Sequence, residues 1–458
     1  MVESGYFETL GVNALWISPL NRGPEGLWTG VEGGSPRYSS YHGYWPIAPR
    51  EVDPRLGTSA DVDALVAAAH ARGIRVILDV VLNHVHAEHP YARERPDWLN
   101  PLCACGSAAC PWQTHIRTCW FTRYLPDISW ETSEALETQV EDAVWWLERF
   151  DLDGLRVDAV PMMPRFVTRH LTHEVHRRLE GLRTRQYLVG ETYTGTNGIG
   201  DIRWSLGPDG LDGQFDFPVM WTLRQVFAWE DAPLWVLADV WQRTAAAWAG
   251  STAVMGVFAG NHDVTRFLSE AAGQVDGAVY DQAWRAPPPI PDDADAYARL
   301  RLAQAFVLTV PGAPVLYYGD EFGLPGVGDP DNRRPMRFGG ERTPLEQETA
   351  QTIGRLGRLR RCLPALRRGT WTLLRAEAER LSYLRDAGDG APALVVLNRQ
   401  PASAEVVLPV GAAGGPWREV LSGREVTARE GQIALTLAPR TPAVLVPAAH
   451  RCAWEGGE

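Results

Sequence analysis

The chain has 458 residues, enough for two or three domains and a large buried core. Its formal net charge of −12 argues against a nucleic-acid groove, and no apolar run reaches the length of a membrane span. All 44 basic residues are arginine, which excludes a Schiff-base lysine and a Walker-type phosphate loop. Codon bias in a GC-rich genome accounts for that preference. Met1 is not followed by a signal-peptide pattern.

Apolar, β-rich runs alternate with helical patterns. The chain begins as the tail of a helix over Glu3 to Leu10, then Ala14 to Ser18 reads as a buried strand. Ser59 is placed to cap a helix that buries Val62, Leu65, Val66 and Ala69 and stops at Gly73. Arg75 to Val80 is the next strand. Another helix follows from about Glu134, with Leu136, Val140 and Val144 on one face. Strands are expected at Gly154 to Val157, Tyr187 to Gly190, Gln214 to Phe217, Val254 to Ala259 and Val315 to Tyr318. Continuous apolar strands separated by helices mean a parallel sheet covered on both faces, an α/β fold of the (β/α)8 barrel (TIM barrel) type.

Seven strands are counted, so an eighth would precede Met1; an N-terminally incomplete sequence is expected. Residues 85–122 are loop-rich, with many Pro, Gly and Cys, and read as an insertion after the third barrel strand. Residues 1–84 and 123–369 then form the two parts of the barrel. From residue 370 to 450 short alternating runs mark a C-terminal antiparallel β domain, with a hairpin from Leu381 to Arg385 and Ala393 to Asn398 around the turn at Asp386 to Gly390. Val406 to Val410, Ile433 to Leu437 and Ala443 to Val446 are expected to continue it as a meander.

Six cysteines are present: Cys103, Cys105, Cys110 and Cys119 cluster, and Cys362 and Cys452 lie apart. An even count fits disulfides and an oxidising, extracytoplasmic compartment. Zinc in the cluster is the alternative, although Cys-x-Cys is not the usual spacing. Of the 19 Trp, most belong to the core and a few suit sugar stacking.

Asp158, Glu191 and Asp263 end three separate apolar runs. Barrel enzymes place their chemistry at such strand ends, and carboxylates converging on one pocket are the equipment for cleaving a glycosidic bond. Arg156 shares a strand face with Asp158 and supplies a positive charge that favours the ionised acid. Any one of these acids alone reads as a solvated loop end or a helix cap.

The ordered segments Asp79-Val-Val-Leu-Asn83-His84, Leu125-Pro-Asp127, Gly154-Leu-Arg156-Val-Asp158, Glu191 and Asn261-His262-Asp263 resemble the α-amylase family, glycoside hydrolase family 13. Tyr41-His-Gly-Tyr44-Trp, Tyr317-Tyr-Gly-Asp-Glu321 and Asp329-Pro-Asp-Asn-Arg333 add to the resemblance, which covers roughly residues 5 to 365. It implies Asp158 as nucleophile, Glu191 as acid/base and Asp263 as stabiliser of an oxocarbenium-like transition state. It implies that His84 and His262 hydrogen-bond the sugar, with Tyr44 as its stacking platform and Asp79 supporting Arg156. Asp329 and Arg333 would contact the next sugar outward, with a solvated ion pair as the competing reading. Asn83 and Asp127 resemble ligands of a structural calcium, and no cofactor is required for the chemistry.

The chain also departs from the family pattern. Pro161 and Met162 stand where typical α-amylases carry Lys-His, so a lysine contact to a sugar beyond the cleavage point is absent. The short insertion would shape that acceptor side. The expected function is retaining hydrolysis of α-1,4-glucosidic bonds in maltooligosaccharides or related α-glucans. A transglycosylase or trehalose-synthase-like isomerase, and less so a non-catalytic glucan-binding protein, are the alternatives.

Overall fold

The computed structural model describes residues 1–29, 36–103, 112–181, 184–411 and 414–453. Five strands pair in parallel in the order Ala14–Ile17, Arg75–Val80, Gly154–Val157, Tyr187–Gly190 and Gly213–Gln214. A parallel bridge from Phe215 to Gly256 passes the sheet on to Gly256–Phe258, which pairs with Ala313–Val315. Helices Ser59–Ala71, Ser133–Phe150, Arg165–Leu179, Leu234–Trp248 and Ala294–Thr309 intervene, and Pro344–Cys362 follows the last of these strands. The fold is the TIM barrel of the expectation, with seven strands in sequential order among the described residues. No described strand pairs with the outer edge of Ala14–Ile17 or of Ala313–Val315.

Strand periodicity sets what faces the barrel interior. Leu155 and Val157 pack outward with Val140, Val144, Leu147, Val167 and Leu171. Arg156 and Asp158, one residue out of phase, therefore face inward. Gly190 is required by close packing: a Cβ there would lie 2.4 Å from the Leu211 side chain and 2.9 Å from that of Val160.

Local chemistry corrects several expected boundaries. Thr58, not Ser59, caps the first long helix; its hydroxyl accepts from the Asp61 N–H while the Asp61 carboxylate accepts from the Thr58 N–H. The strand expected over Gln214 to Phe217 covers Gly213–Gln214 only. Asp216 accepts from the Val219 N–H and Phe217 already begins a helix, with Pro218 in its first turn. The last barrel strand is Ala313–Val315 instead of Val315 to Tyr318.

The C-terminal strands are antiparallel but not a simple meander. Six run in the order Thr370–Ala376, Arg380–Asp386, Ala393–Asn398, Thr441–Pro447, Gly415–Glu419 and Glu425–Ala428. Ala404–Pro409 and Gln432–Leu437 pair separately. Leu394, Val396, Val406, Ile433 and Leu445 pack between them, so two sheets sandwich one core. Cys103 bonds Cys119, and Cys362 bonds Cys452. The zinc alternative thus loses two ligands; Cys105 and Cys110 lie outside the described residues.

Candidate active site

Arg156 organises the barrel mouth. It is fully buried, and one guanidinium nitrogen, Nη1, donates to Asp79 at 2.9 and 3.0 Å and to Asp158 Oδ1 at 2.5 Å. The other, Nη2, meets Glu191 Oε1 at 2.9 Å. The acids expected to act as a pair are therefore bridged by a single planar cation. Asp158 follows the strand end, and Ala159 after it takes a left-handed φ of 51°. Such strain costs about 1 kcal/mol or more and concentrates at functional turns. The turn brings the Ala159 N–H to 3.4 Å from Glu191 Oε2.

Glu191 is 7% exposed. Burial pushes its carboxyl up to about 8; Arg156 opposes this, while Asp158, Asp263 and Asp79 add to it. Desolvation wins over the ion pair, so Glu191 carries a proton at neutral pH. That is the state a general acid needs.

Tyr44 donates its hydroxyl to Asp79 Oδ2 at 2.7 Å and lies 2.9 Å from His262 Nε2. Its ring stacks on that of His262 at 5.4 Å and 13°. His84 sits 3.1 Å through Nε2 from the Tyr44 carbonyl, while its Nδ1 is buried without a protein partner. That orphan nitrogen is consistent with a ligand contact. Burial holds both His84 and His262 below the usual imidazole range, so neither competes as a cation. Asp263 Oδ2 is 3.1 Å from His262 Nε2, and its Oδ1 is 3.5 Å from Arg333 Nη2. Its side chain keeps 35% exposure and opens to the cleft.

Arg333 Nε also lies 3.7 Å from Asp329 Oδ1, and Tyr41 donates its hydroxyl to the same carboxylate. The ion pair weighed against sugar binding is present, and it reaches Asp263 as well. All nine expected catalytic and sugar-binding residues thus belong to one connected group.

Asn83 and Asp127 are buried neighbours, the Asn83 amide donating to Asp127 Oδ1 at 3.1 Å. Burial pushes Asp127 up to about 8. Oxygen donors suit a hard cation, which would hold this carboxylate ionised. Two side chains supply only part of a calcium shell. No cluster of three His, Cys, Asp or Glu groups fit to hold a metal occurs among the described residues.

Several positioning residues escaped the sequence reading. Trp16 donates its indole N–H to Asp79 at 3.2 Å; its place at a strand's C-terminal end was the available signal. Arg224 and Arg266 grip the turn that carries His262 and Asp263. Arg224 donates to the Ala259 and Thr265 carbonyls at 3.1 and 2.8 Å. Arg266 donates to the Asn332 carbonyl at 2.7 Å and to Asp320 at 3.0 Å. Nothing in their local sequence distinguishes them from surface arginines.

The profile of the α-amylase catalytic domain matches residues 4–99 and 105–355, most of the chain. The chain belongs to the α-amylase family. The C-terminal domain of maltogenic amylase matches residues 371–441, within the antiparallel strands. Among curated relatives, cyclomaltodextrinase of Geobacillus thermopakistaniensis is 26% identical over 95% of this chain and 67% of its own length. A cyclomaltodextrin glucanotransferase of Bacillus licheniformis is 27% identical over 97% of this chain and 60% of its own length. The chain therefore spans about two thirds or less of these family members. Among solved structures, the α-amylase of Geobacillus thermoleovorans in complex with acarbose superposes with TM-score 0.79 at 29% identity, covering 97% of this chain and 90% of that one.

Proposed function

We propose that this α-amylase family member is a retaining α-glucoside hydrolase acting on α-1,4 bonds of maltooligosaccharides or related α-glucans. The observation that carries the reading is the Arg156 guanidinium held by Asp158 and Glu191 at once. In this mechanism protonated Glu191 gives its proton to the leaving oxygen while an Asp158 oxygen bonds to the anomeric carbon. Asp263 offsets the positive charge that develops on the sugar ring. Glu191 then takes a proton from water, whose oxygen displaces Asp158 with overall retention.

Reducing ends released from maltoheptaose test the reading. Asp158→Asn is expected to lose activity by about a thousandfold or more, and the first-formed product is expected to carry the α-anomeric configuration. Activity equal to wild type would rule out the nucleophile. The transferase alternative draws support from the cyclomaltodextrin glucanotransferases among the relatives; chromatography of products, with trehalose and panose as markers, separates the two.

We also infer a structural calcium at Asn83 and Asp127, tying the 85–122 segment to the barrel. Calcium is expected to raise Tm by several degrees, with the gain lost in Asp127→Ala; an equal gain in both would remove the site. Two disulfides support an extracytoplasmic location, which fractionation of the native host would test.

A further inference from the structure

Helix Phe217–Leu223 runs on into a π-helical turn, Arg224–Ala228, closed by a bond from the Trp229 N–H to the Arg224 carbonyl at 2.9 Å. Such a turn shifts the helix hydrogen-bond ladder by one residue and is frequent at functional sites. The chain leaves it through Glu230, whose φ is 53°. The turn carries Arg224, the fully buried side chain that donates to the Ala259 and Thr265 carbonyls on either side of His262 and Asp263. The fit is close: a Cβ on Gly260 would lie 2.9 Å from Arg224 Nη2. Glu270 holds the remaining guanidinium nitrogen, Nη1, at 2.7 Å.

The turn is held in place largely from outside the barrel. Arg399, buried just past strand Ala393–Asn398 of the C-terminal domain, donates through Nη1 to the carbonyls of Val226 at 2.8 Å and Ala232 at 2.7 Å. Its Nε and Nη2 donate to Glu379 at 2.9 and 2.7 Å, so the guanidinium is itself fixed. Arg440, just before strand Thr441–Pro447, donates to both carboxylate oxygens of Glu230. On the barrel side Arg299 donates to the Ala228 carbonyl at 2.9 Å. A buried carbonyl displaced from the helix ladder needs such a partner. Two of these three arginines belong to the C-terminal domain.

We propose that the C-terminal domain positions Asp263: Arg399 and Arg440 fix the π turn, and Arg224 on that turn fixes residues 259–265, which carry the acid. The proposal rests on the reading of Asp263 as stabiliser of the transition state. Arg399 lies outside the connected group at the barrel mouth and acts as a positioning residue. Stabilisation of the developing ring charge depends on where the carboxylate sits at that moment, so a displaced turn costs rate more than binding. A shift of about 1 Å suffices for a large loss. A second joint between the same two domains lies at the far end of helix Ala294–Thr309. There Arg385 donates to the Thr309 and Gly369 carbonyls, which grips the end of the helix and leaves the π turn alone.

Arg399→Ala, Arg399→Lys, Arg440→Gln and Arg385→Met are made in the full chain and assayed on 2-chloro-4-nitrophenyl α-maltotrioside, each well below its own Tm. The same changes are made beside Asp263→Asn. Arg399→Ala is expected to lower kcat about tenfold with KM within about twofold of wild type, and Arg399→Lys to restore part of the loss. Arg440→Gln, which gives up one ion pair, is expected to lose about threefold. Arg385→Met is expected to keep kcat within about twofold, however much its Tm falls. Beside Asp263→Asn, the loss from Arg399→Ala is expected to shrink to less than about twofold, because the acid it positions is gone. A kcat loss in Arg399→Ala no larger than in Arg385→Met, or one that persists in full beside Asp263→Asn, overturns the positioning role and leaves the hydrolase reading standing. Should Arg399→Ala fail to fold, Arg399→Lys and Arg440→Gln decide by the same comparison. Asp263→Asn as active as wild type, or a wild type without activity, overturns the reading of Asp263 and the proposal with it.

Discussion

At the barrel mouth, Arg156 is fully buried and faces three carboxylates; at the junction with the C-terminal strands, Arg385 is equally buried and faces carbonyls. Arg385 donates to the carbonyls of Thr309, Gly369 and Thr370. Arg360 joins it, donating to Leu308, Val310 and Gly312 at 2.6–3.0 Å. These carbonyls include the last of helix Ala294–Thr309, where the helix dipole is negative. Burial holds Arg360 down to about 9, helped by its neighbour Arg385, and holds Arg385 down to about 10. The same side chain thus has two uses. Among carboxylates it holds side chains from neighbouring strand ends together; among carbonyls it serves as a joint between the barrel and the β sandwich.

Arg156→Met and Arg385→Met should separate those uses. The first is expected to lower kcat/KM on maltoheptaose by about a thousandfold or more, since it leaves buried Asp79 and partly buried Asp158 without their cation. The second is expected to cost about 3 kcal/mol of unfolding free energy by stranding carbonyl acceptors, with kcat/KM of the folded enzyme within about twofold of wild type. Denaturant titration beside kinetics checks both. An active Arg156→Met enzyme, or an inactive but stable Arg385→Met enzyme, breaks the contrast.

A smaller effect comes from protons. With Glu191 pushed up to about 8, kcat/KM should decline about tenfold per unit above that pH, as the acid is lost. An alkaline limb centred near pH 5 would refute the assignment.

Smaller still is the linked change in stability. The folded chain keeps the Glu191 proton up to about pH 8, whereas the unfolded chain loses it in the ordinary carboxylate range. The folded state binds the extra proton between those values, so this group's contribution to stability falls as pH rises through that window. Glu191→Gln should therefore gain on wild type by about 1–3 kcal/mol between pH 5 and 8. Melting curves that keep a constant offset would contradict it.

Much of this site was legible in the chain because strand side chains repeat every two residues. Gly-Leu-Arg-Val-Asp announced that Arg156 and Asp158 share a face opposite Leu155 and Val157, and the packing of those two agrees. Phe217 was misread as strand because an apolar pair looks alike in both states; the Asp216 cap and Pro218 decided for helix. Arg224 and Arg266 were illegible, since each acts across a large gap in the sequence. The Asn332 carbonyl that Arg266 reaches is 66 residues away.

Sequence alone determined the barrel class and the identity of the acids at its strand ends, because backbone periodicity and element order are local properties that residue patterns encode. Tertiary structure alone decided that Glu191, just past the end of the neighbouring strand, meets the same cation as Asp158. The energy of a buried charge depends on neighbours within a few ångströms, and chain order does not specify them.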